Sequence, residues 1–283
     1  MVDSRLKIAI GFLPVLIITL LFYFLPLFET LKYSMVRGDE FIGLERYVDF
    51  LSNPKFIHAF TTSFEISVLS TIFSIVLGVI VALALRDTFV GKRISLFLFQ
   101  MNISIPHIVI ATMVVLLLNP TGFISAFFYN EGWISNWTEF PKIIYDSSIG
   151  GVVFSYCLKF IPFIGMAVLA VLQAFPRDFE LQSRSLGVGK WKTFVHVLLP
   201  AIMPAVVTTS IIVFAFSFGC FEVPNILLRD TTMPTLIYNS YYDYYDPEGR
   251  PMAYAAAMML SLITISVSVI YLYLTTKRRS DRK

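Results

Sequence analysis

Six apolar runs separated by polar segments organise this chain: residues 8–28, 66–85, 94–118, 149–172, 197–221 and 251–276. Each holds at least 20 residues and no more than one charge, and a helix rising 1.5 Å per residue needs about 20 residues to cross the hydrocarbon core. The runs do not alternate polar and apolar positions and are about twice the length of a barrel strand, which excludes a β-barrel. The pattern predicts an all-α integral membrane protein of six transmembrane helices, read as a single transmembrane domain over residues 1–283. Arg5 and Lys7 before the first run resemble the start of a signal peptide. Pro14, Pro26 and the lack of a small-x-small cleavage site instead predict an uncleaved first helix.

The polar connectors fall into two classes. Three long ones, 29–63, 119–148 and 222–250, lie on one side. The first carries an amphipathic piece, Leu44 to Leu51, that predicts a short surface helix leading towards the second span. Trp133 and Trp137 in the second, and Tyr238, Tyr241, Tyr242, Tyr244 and Tyr245 in the third, read as an aromatic belt at the headgroups or as contacts for an external protein. On the other side, residues 86–93 join two spans as a tight hairpin, and 173–196 is the only connector there with room for structure.

Basic residues set the orientation. Arg5, Lys7, Arg86, Lys92, Arg93, Arg177, Arg184, Lys190, Lys192 and the tail from Lys277 to Lys283 lie on the side of the 173–196 loop. Half as many lie opposite. The positive-inside rule puts the N and C termini and this loop in the cytoplasm. The net charge of +3 is this asymmetry and gives no signal for nucleic acid. At 57% hydrophobic and 14% charged, against about 25% charged in soluble proteins, a soluble domain is excluded.

The 173–196 loop carries the most specific pattern. Pro176 suits a first helical turn, and Asp178 and Glu180 suit a helix N-terminus. Phe179, Ser183 and Leu186 recur at helical spacing as one partly apolar stripe. Gly187 and Gly189 then stop the helix, since glycine tolerates the left-handed turn at a helix end. Nine residues after Gly187 comes Val197-Leu198-Leu199-Pro200, with Pro204 following. A short helix with a glycine turn and a stiff exit can pass a push from a soluble partner to the membrane bundle.

Gly187-x9-Val197-Leu198-Leu199-Pro200, lying between the fourth and fifth of six spans, resembles the cytoplasmic loop motif of permease subunits in binding-protein-dependent ABC importers of the type I fold. In that family Glu-Ala-Ala-x-x-x-Gly is followed by nine residues and Ile-x-Leu-Pro. Phe221-Glu222-Val223-Pro224 looks closest to a string found after the fifth helix in the spermidine/putrescine and ferric-iron branch. The chain departs from the motif at Leu181, where the family has glutamate, and at Gln182 and Ser183, where it has alanines; Glu180 stands one residue early. The resemblance implies a non-catalytic subunit in the cytoplasmic membrane of a prokaryote, forming half of a solute pathway. It implies as partners two ATPase subunits that bind ATP and Mg, a second permease (a homologous heterodimer partner), an extracytoplasmic solute-binding protein and membrane lipid. The ATPase-coupling residues are then Phe179, Glu180, Leu181, Ser183, Arg184, Leu186 and Gly187, acting as a packed knob with little reliance on a carboxylate. The branch implies polyamine or a related small charged solute, with ferric iron, phosphonate or another anion as alternatives.

Other residues carry chemistry. Lys159, inside the fourth span and three residues before Pro162, costs roughly 2.5–3.5 kcal/mol on insertion scales. It reads either as a pathway or gate residue, with Pro162 and Phe163, or as a lysine satisfied by carbonyls or snorkelling. Glu222 reads as a guard favouring a cationic solute or as a solvated helix-end carboxylate. Acidic outer loops suit a polycation while Lys159 suits an anion, so both remain open. Pro106 with His107, and Pro162, predict kinks. Cys157 and Cys220 read as packing residues, and His58, His107 and His196 are too scattered for a metal set. Gly187-Val188-Gly189-Lys190 lacks P-loop spacing, and no catalytic constellation is present, so no cofactor is expected on this chain. An ATPase-independent channel or secondary carrier is the competing class.

Overall fold

Proline decides where the long apolar helices bend or stop, because it has no N–H and disfavours helical backbone at the residue before it. The computed structural model describes residues 4–38, 40–145, 148–228 and 231–280. The chain begins with α1 (Ser4–Thr19), which widens into a π-turn over Leu20–Phe24 before α2 (Leu25–Ser34). Pro26 cannot supply a helical N–H there, and the Leu25 N–H reaches the Leu20 carbonyl five residues back. A small hairpin follows, β1 (Val36–Arg37) antiparallel to β2 (Glu40–Phe41), with Gly38 at φ +60°. Then come α3 (Glu45–Ser52), α4 (Pro54–Arg86), α5 (Lys92–Ser104), α6 (His107–Leu118) and α7 (Phe123–Asn130). The remaining elements are α8 (Gly150–Ala174), α9 (Asp178–Ser185), α10 (Lys190–Thr193), α11 (Leu199–Gly219), α12 (Glu222–Leu227), α13 (Met233–Tyr242) and α14 (Gly249–Ser280).

Six helical stretches among the described residues are long and apolar enough to cross a membrane: Gly11–Ser34, Pro54–Arg86, His107–Asn130, Gly150–Ala174, Lys190–Gly219 and Gly249–Tyr271. The chain is an all-α integral membrane protein of six such helices, the two-residue strands aside. Several boundaries differ from the apolar runs, two of them for a clear local reason. The second helix starts at Pro54, because helical backbone continues through polar residues that hydropathy assigns to a loop. The run 94–118 is divided: Ile105 and Pro106 adopt extended backbone (ψ 129° and 147°), so α5 ends and the membrane-length stretch begins at His107. Pro106 is thus a break, whereas Pro162 sits inside an uninterrupted α8.

Two compact units are formed, residues 1–58 with 233–263 and residues 59–232 with 264–283. In the first, the buried Arg46 guanidinium (1% exposed) donates to the Ser34 carbonyl at 2.7 Å, the Val36 carbonyl at 3.1 Å and Glu248 Oε2 at 3.0 Å. A buried charge needs such pairing, and this one ties the hairpin and α3 to the start of α14.

The second unit is built around α8. Two thirds of its apolar stretch (67%) is buried, against none of Gly11–Ser34, which makes α8 the central helix. Tyr156, Ile164, Val168 and Leu172 fill the core against α5, α6 and α11. The buried face of α4 is small instead, with Ser63, Ser67, Ser70, Ser74, Gly78 and Ala82 at helical spacing. Small faces let helices approach closely where lipid offers no hydrophobic drive. At the closest point a Cβ on Gly78 would lie 3.1 Å from Ile164 Cβ and 3.2 Å from the Gly165 nitrogen.

Candidate functional site

The loop between α8 and α11 is shaped by its local sequence. Asp178 and Glu180 occupy the first turn of α9 and Arg184 the last, so all three charges complement the helix dipole. Pro176 lies outside the helix, one residue before the N-cap Arg177, and does not occupy the first turn. At the other end Gly187 takes φ +78°. Its N–H donates to the Arg184 carbonyl at 2.9 Å and the Val188 N–H to the Ser183 carbonyl at 3.1 Å, the two bonds of a Schellman stop. Gly189 has ordinary extended backbone and precedes α10 as its N-cap, so it starts the next helix and does not stop this one. The exit passes through a π-turn over Phe194–Leu198, where the Leu199 N–H reaches back to Phe194, because Pro200 breaks the normal register.

The two faces of α9 differ in chemistry. Asp178, Leu181, Gln182, Ser185 and Leu186 line one shallow outward concavity. Leu181 is 59% and Leu186 83% exposed. The opposite face is anchored to the bundle. Glu180 pairs with Arg86 at the end of α4, Arg177 pairs with Asp87 at 2.8 Å, and Ser183 Oγ bonds Thr193 Oγ1 at 3.0 Å. Phe179, Ser183 and Leu186 therefore do not form one stripe: Ser183 faces inward, Leu186 outward, and Phe179 flanks with its ring 5.5 Å from Phe175. Arg184 is exposed and has no carboxylate partner among the described residues. Arg86 and Asp87 position this loop; the sequence marks Arg86 only as one of the basic residues that set orientation, and does not single out Asp87. Their complement in Glu180 and Arg177 was the available signal.

Lys159 lies 8% exposed on α8. Its ammonium donates to the carbonyls of Asn102 (3.3 Å), Ile103 (2.7 Å) and Ile105 (2.5 Å). These carbonyls are left over where Pro106 ends α5. Three ammonium protons meet three acceptors at the negative end of a helix, so the charge is spent within the chain. The carbonyls come from the break at Pro106, not from Pro162. Beside this cap the His107 ring stacks on Phe216 at 4.2 Å. Pro162 is buried and Phe163 half-buried against the core. Glu222 is exposed in the first turn of α12, where a carboxylate suits the helix N-terminus. No ion pair joins it to Lys159. Among the described residues no cluster of three His, Cys, Asp or Glu could hold a metal ion.

Six membrane-length helices, with a short polar-and-leucine helix braced against α4 by ion pairs, define a multi-pass membrane protein with one built polar loop. Residues 74–280 match the family of binding-protein-dependent transport system inner membrane components, and the chain belongs to that family. It is 26% identical over 231 residues to the molybdenum transport system permease protein ModB of Escherichia coli (strain K12), covering 80% of this chain and 93% of that one. Over 262 residues it is 25% identical to the sulfate transport system permease protein CysW of Synechocystis sp. (strain ATCC 27184 / PCC 6803 / Kazusa), covering 90% of each. Its fold matches a chain in the crystal structure of a bacterial ABC transporter involved in the import of the acidic polysaccharide alginate. The TM-score is 0.78 at 17% identity, over 98% of this chain and 97% of that one. The chain is a type I ABC importer permease subunit of a binding-protein-dependent transport system. Its relatives are transport permeases, consistent with a non-catalytic membrane component.

Proposed function

We propose that this chain forms half of a solute pathway in the cytoplasmic membrane of a prokaryote and receives its power stroke through α9. The observation that carries the reading is the outward face of α9. Leu181 and Leu186 stand exposed on a helix that is itself braced to α4, a combination that marks a docking surface for a partner rather than a solvated loop. The partner is an ATPase subunit, one of two, each binding ATP and Mg. A second permease completes the pathway, and an extracytoplasmic binding protein delivers solute from the side opposite the loop. The basic-residue asymmetry supports cytoplasmic termini. Leu181 stands on the docking face where the family has glutamate, and Glu180 is turned inward to Arg86, so the contact is apolar in character.

For the solute, the polyamine reading rests on the Phe221-Glu222-Val223-Pro224 string and has no support among the relatives above. A small anion is supported by the sulfate system to which the chain is similar. Lys159 lends no weight to either class, since its protons are occupied.

The test is co-purification. The tagged chain, solubilised in mild detergent, is expected to bring down an ATPase subunit and with it vanadate-sensitive ATP hydrolysis. Recovery of the chain alone, active as a channel or carrier in vesicles without ATP, would contradict the proposal. Thermal shift of the cognate binding protein against sulfate, molybdate and spermidine assigns the solute class.

A further inference from the structure

The inner side of the loop encloses a second feature, a groove of about 1230 Å³. It exceeds the roughly 300–1,000 Å³ of ordinary small-molecule sites. Its body is aliphatic and aromatic: Ile75, Val79 and Leu83 on α4 face Phe194, Leu198 and Leu199. Its polar residues gather at one end, where Arg86, Arg177, Arg184 and Lys190 meet Asp87 and Glu180.

Two of those bases are neutralised within the chain, Arg86 by Glu180 and Arg177 by Asp87. Arg184 and Lys190 are left without a counter-ion among the described residues. The Arg86 side chain is only 9% exposed, and while one guanidinium nitrogen holds Glu180, the other, Nη2, is buried with no hydrogen-bond partner. That nitrogen has no surface open to the groove, so Arg184 and Lys190 are the unpaired bases that line it. The groove therefore asks for an anion at its polar end and for hydrocarbon along its length.

The membrane supplies that geometry. Arg86 is the last residue of one membrane-length helix and Lys190 the first of another, so the basic end lies where two such helices end. Trp191, 73% exposed and with its ring tilted against Phe194 at 5.6 Å, sits there as interfacial tryptophans do. From Arg86 back to Ile75 is eleven helical residues, or about 16 Å at 1.5 Å per residue. That is close to the roughly 15 Å of one leaflet in a hydrocarbon core of about 30 Å. A helix from another subunit would fill the apolar body but leave the uncompensated bases at one end only.

We infer that this groove is a binding site for an anionic phospholipid. The phosphate-bearing headgroup is held by Arg184 and Lys190, and the acyl chains lie along α4 and the start of α11. Basic pockets between membrane helices bind anionic headgroups by this combination. The site borders the outward face of α9, with which it shares Leu181, and does not depend on the solute.

The test uses the chain purified with whatever subunits accompany it, placed in phosphatidylcholine nanodiscs with a trace of lipid carrying a photoreactive acyl chain. Phosphatidylglycerol is expected to label peptides holding residues 75–83 and 194–199 roughly thirtyfold more than phosphatidylcholine, from two bases at about 1 kcal/mol each near the surface. Arg184→Gln with Lys190→Gln should remove that preference. Val79→Trp, which fills the apolar body and leaves the charges in place, should remove the labelling itself. Equal labelling by the two lipids in the unaltered protein would overturn the proposal. So would a Val79→Cys disulfide to a cysteine in a second permease chain, since protein would then occupy the groove.

Discussion

Replacing Leu181 and Leu186 together with aspartate is expected to strip the ATPase from the purified chain while leaving the chain folded. Both side chains are more than half exposed, and no residue of α9 is buried within the chain. Surface changes of this kind alter folding stability by about 0.5 kcal/mol or less. In the assembled importer the two leucines would be buried, each worth about 1.5–3 kcal/mol. The combined loss of at least about 3 kcal/mol corresponds to more than a hundredfold in affinity. Binding of purified ATPase to immobilised permease measures it. Because Glu180 is held by Arg86, Glu180→Gln should act differently, loosening the brace between α9 and α4 without touching the docking face. Unchanged ATPase affinity in the double aspartate variant would mean that the outward face of α9 is not the contact.

Lys159→Met is expected to lower the melting temperature of the detergent-solubilised chain on the order of 10 °C. The Asn102 carbonyl keeps the Ile105 N–H as a second donor, but those of Ile103 and Ile105 lose the donor that the structure gives them. A buried polar group left unpaired costs about 1–3 kcal/mol, so two cost about 2–6 kcal/mol. For a chain of this size 1 kcal/mol shifts melting by roughly 2–4 °C. The ammonium's own insertion cost does not offset this, because it burdens the inserted but unfolded helices as well. Lys159→Gln, which keeps an amide donor, should lose about half as much. A gate lysine would behave in the opposite way, with stability unchanged by either substitution and transport selectivity altered by both.

What could be read from the sequence divides along physical lines. Membrane helices are local and strongly periodic in hydropathy, so their number and approximate places follow from composition along the chain. The α9 helix and its stop at Gly187 are equally local, because a left-handed turn needs glycine within a few residues of the last helical carbonyl. The contacts that give these elements their meaning are not local. Lys159 meets carbonyls 54 to 57 residues away, and Glu180 meets Arg86 at a separation of 94. A lysine in an apolar run has the same sequence signature whether it faces a pathway or caps a broken helix. Only the position of the break at Pro106 relative to α8 distinguishes the two. The stripe assigned to Phe179, Ser183 and Leu186 fails for a related reason. Spacing defines which residues share a face, while the ion pairs to α4 decide which face looks inward. The groove along α4 has no sequence signature, since its walls come from two helices more than a hundred residues apart.

The central claim is that the shape of this loop couples ATP hydrolysis to the membrane helices, and Gly187 tests it most directly. Proline fixes φ near −65° and has no N–H, so Gly187→Pro can form neither the turn at φ +78° nor the bond to Arg184. Nothing packs against position 187, so the bundle itself should fold. The measurement is ATP hydrolysis by the reconstituted complex, with and without ligand-loaded binding protein. The predicted result is a complex that assembles and hydrolyses ATP at its basal rate in both conditions. Stimulation equal to that of the unaltered complex would contradict the account.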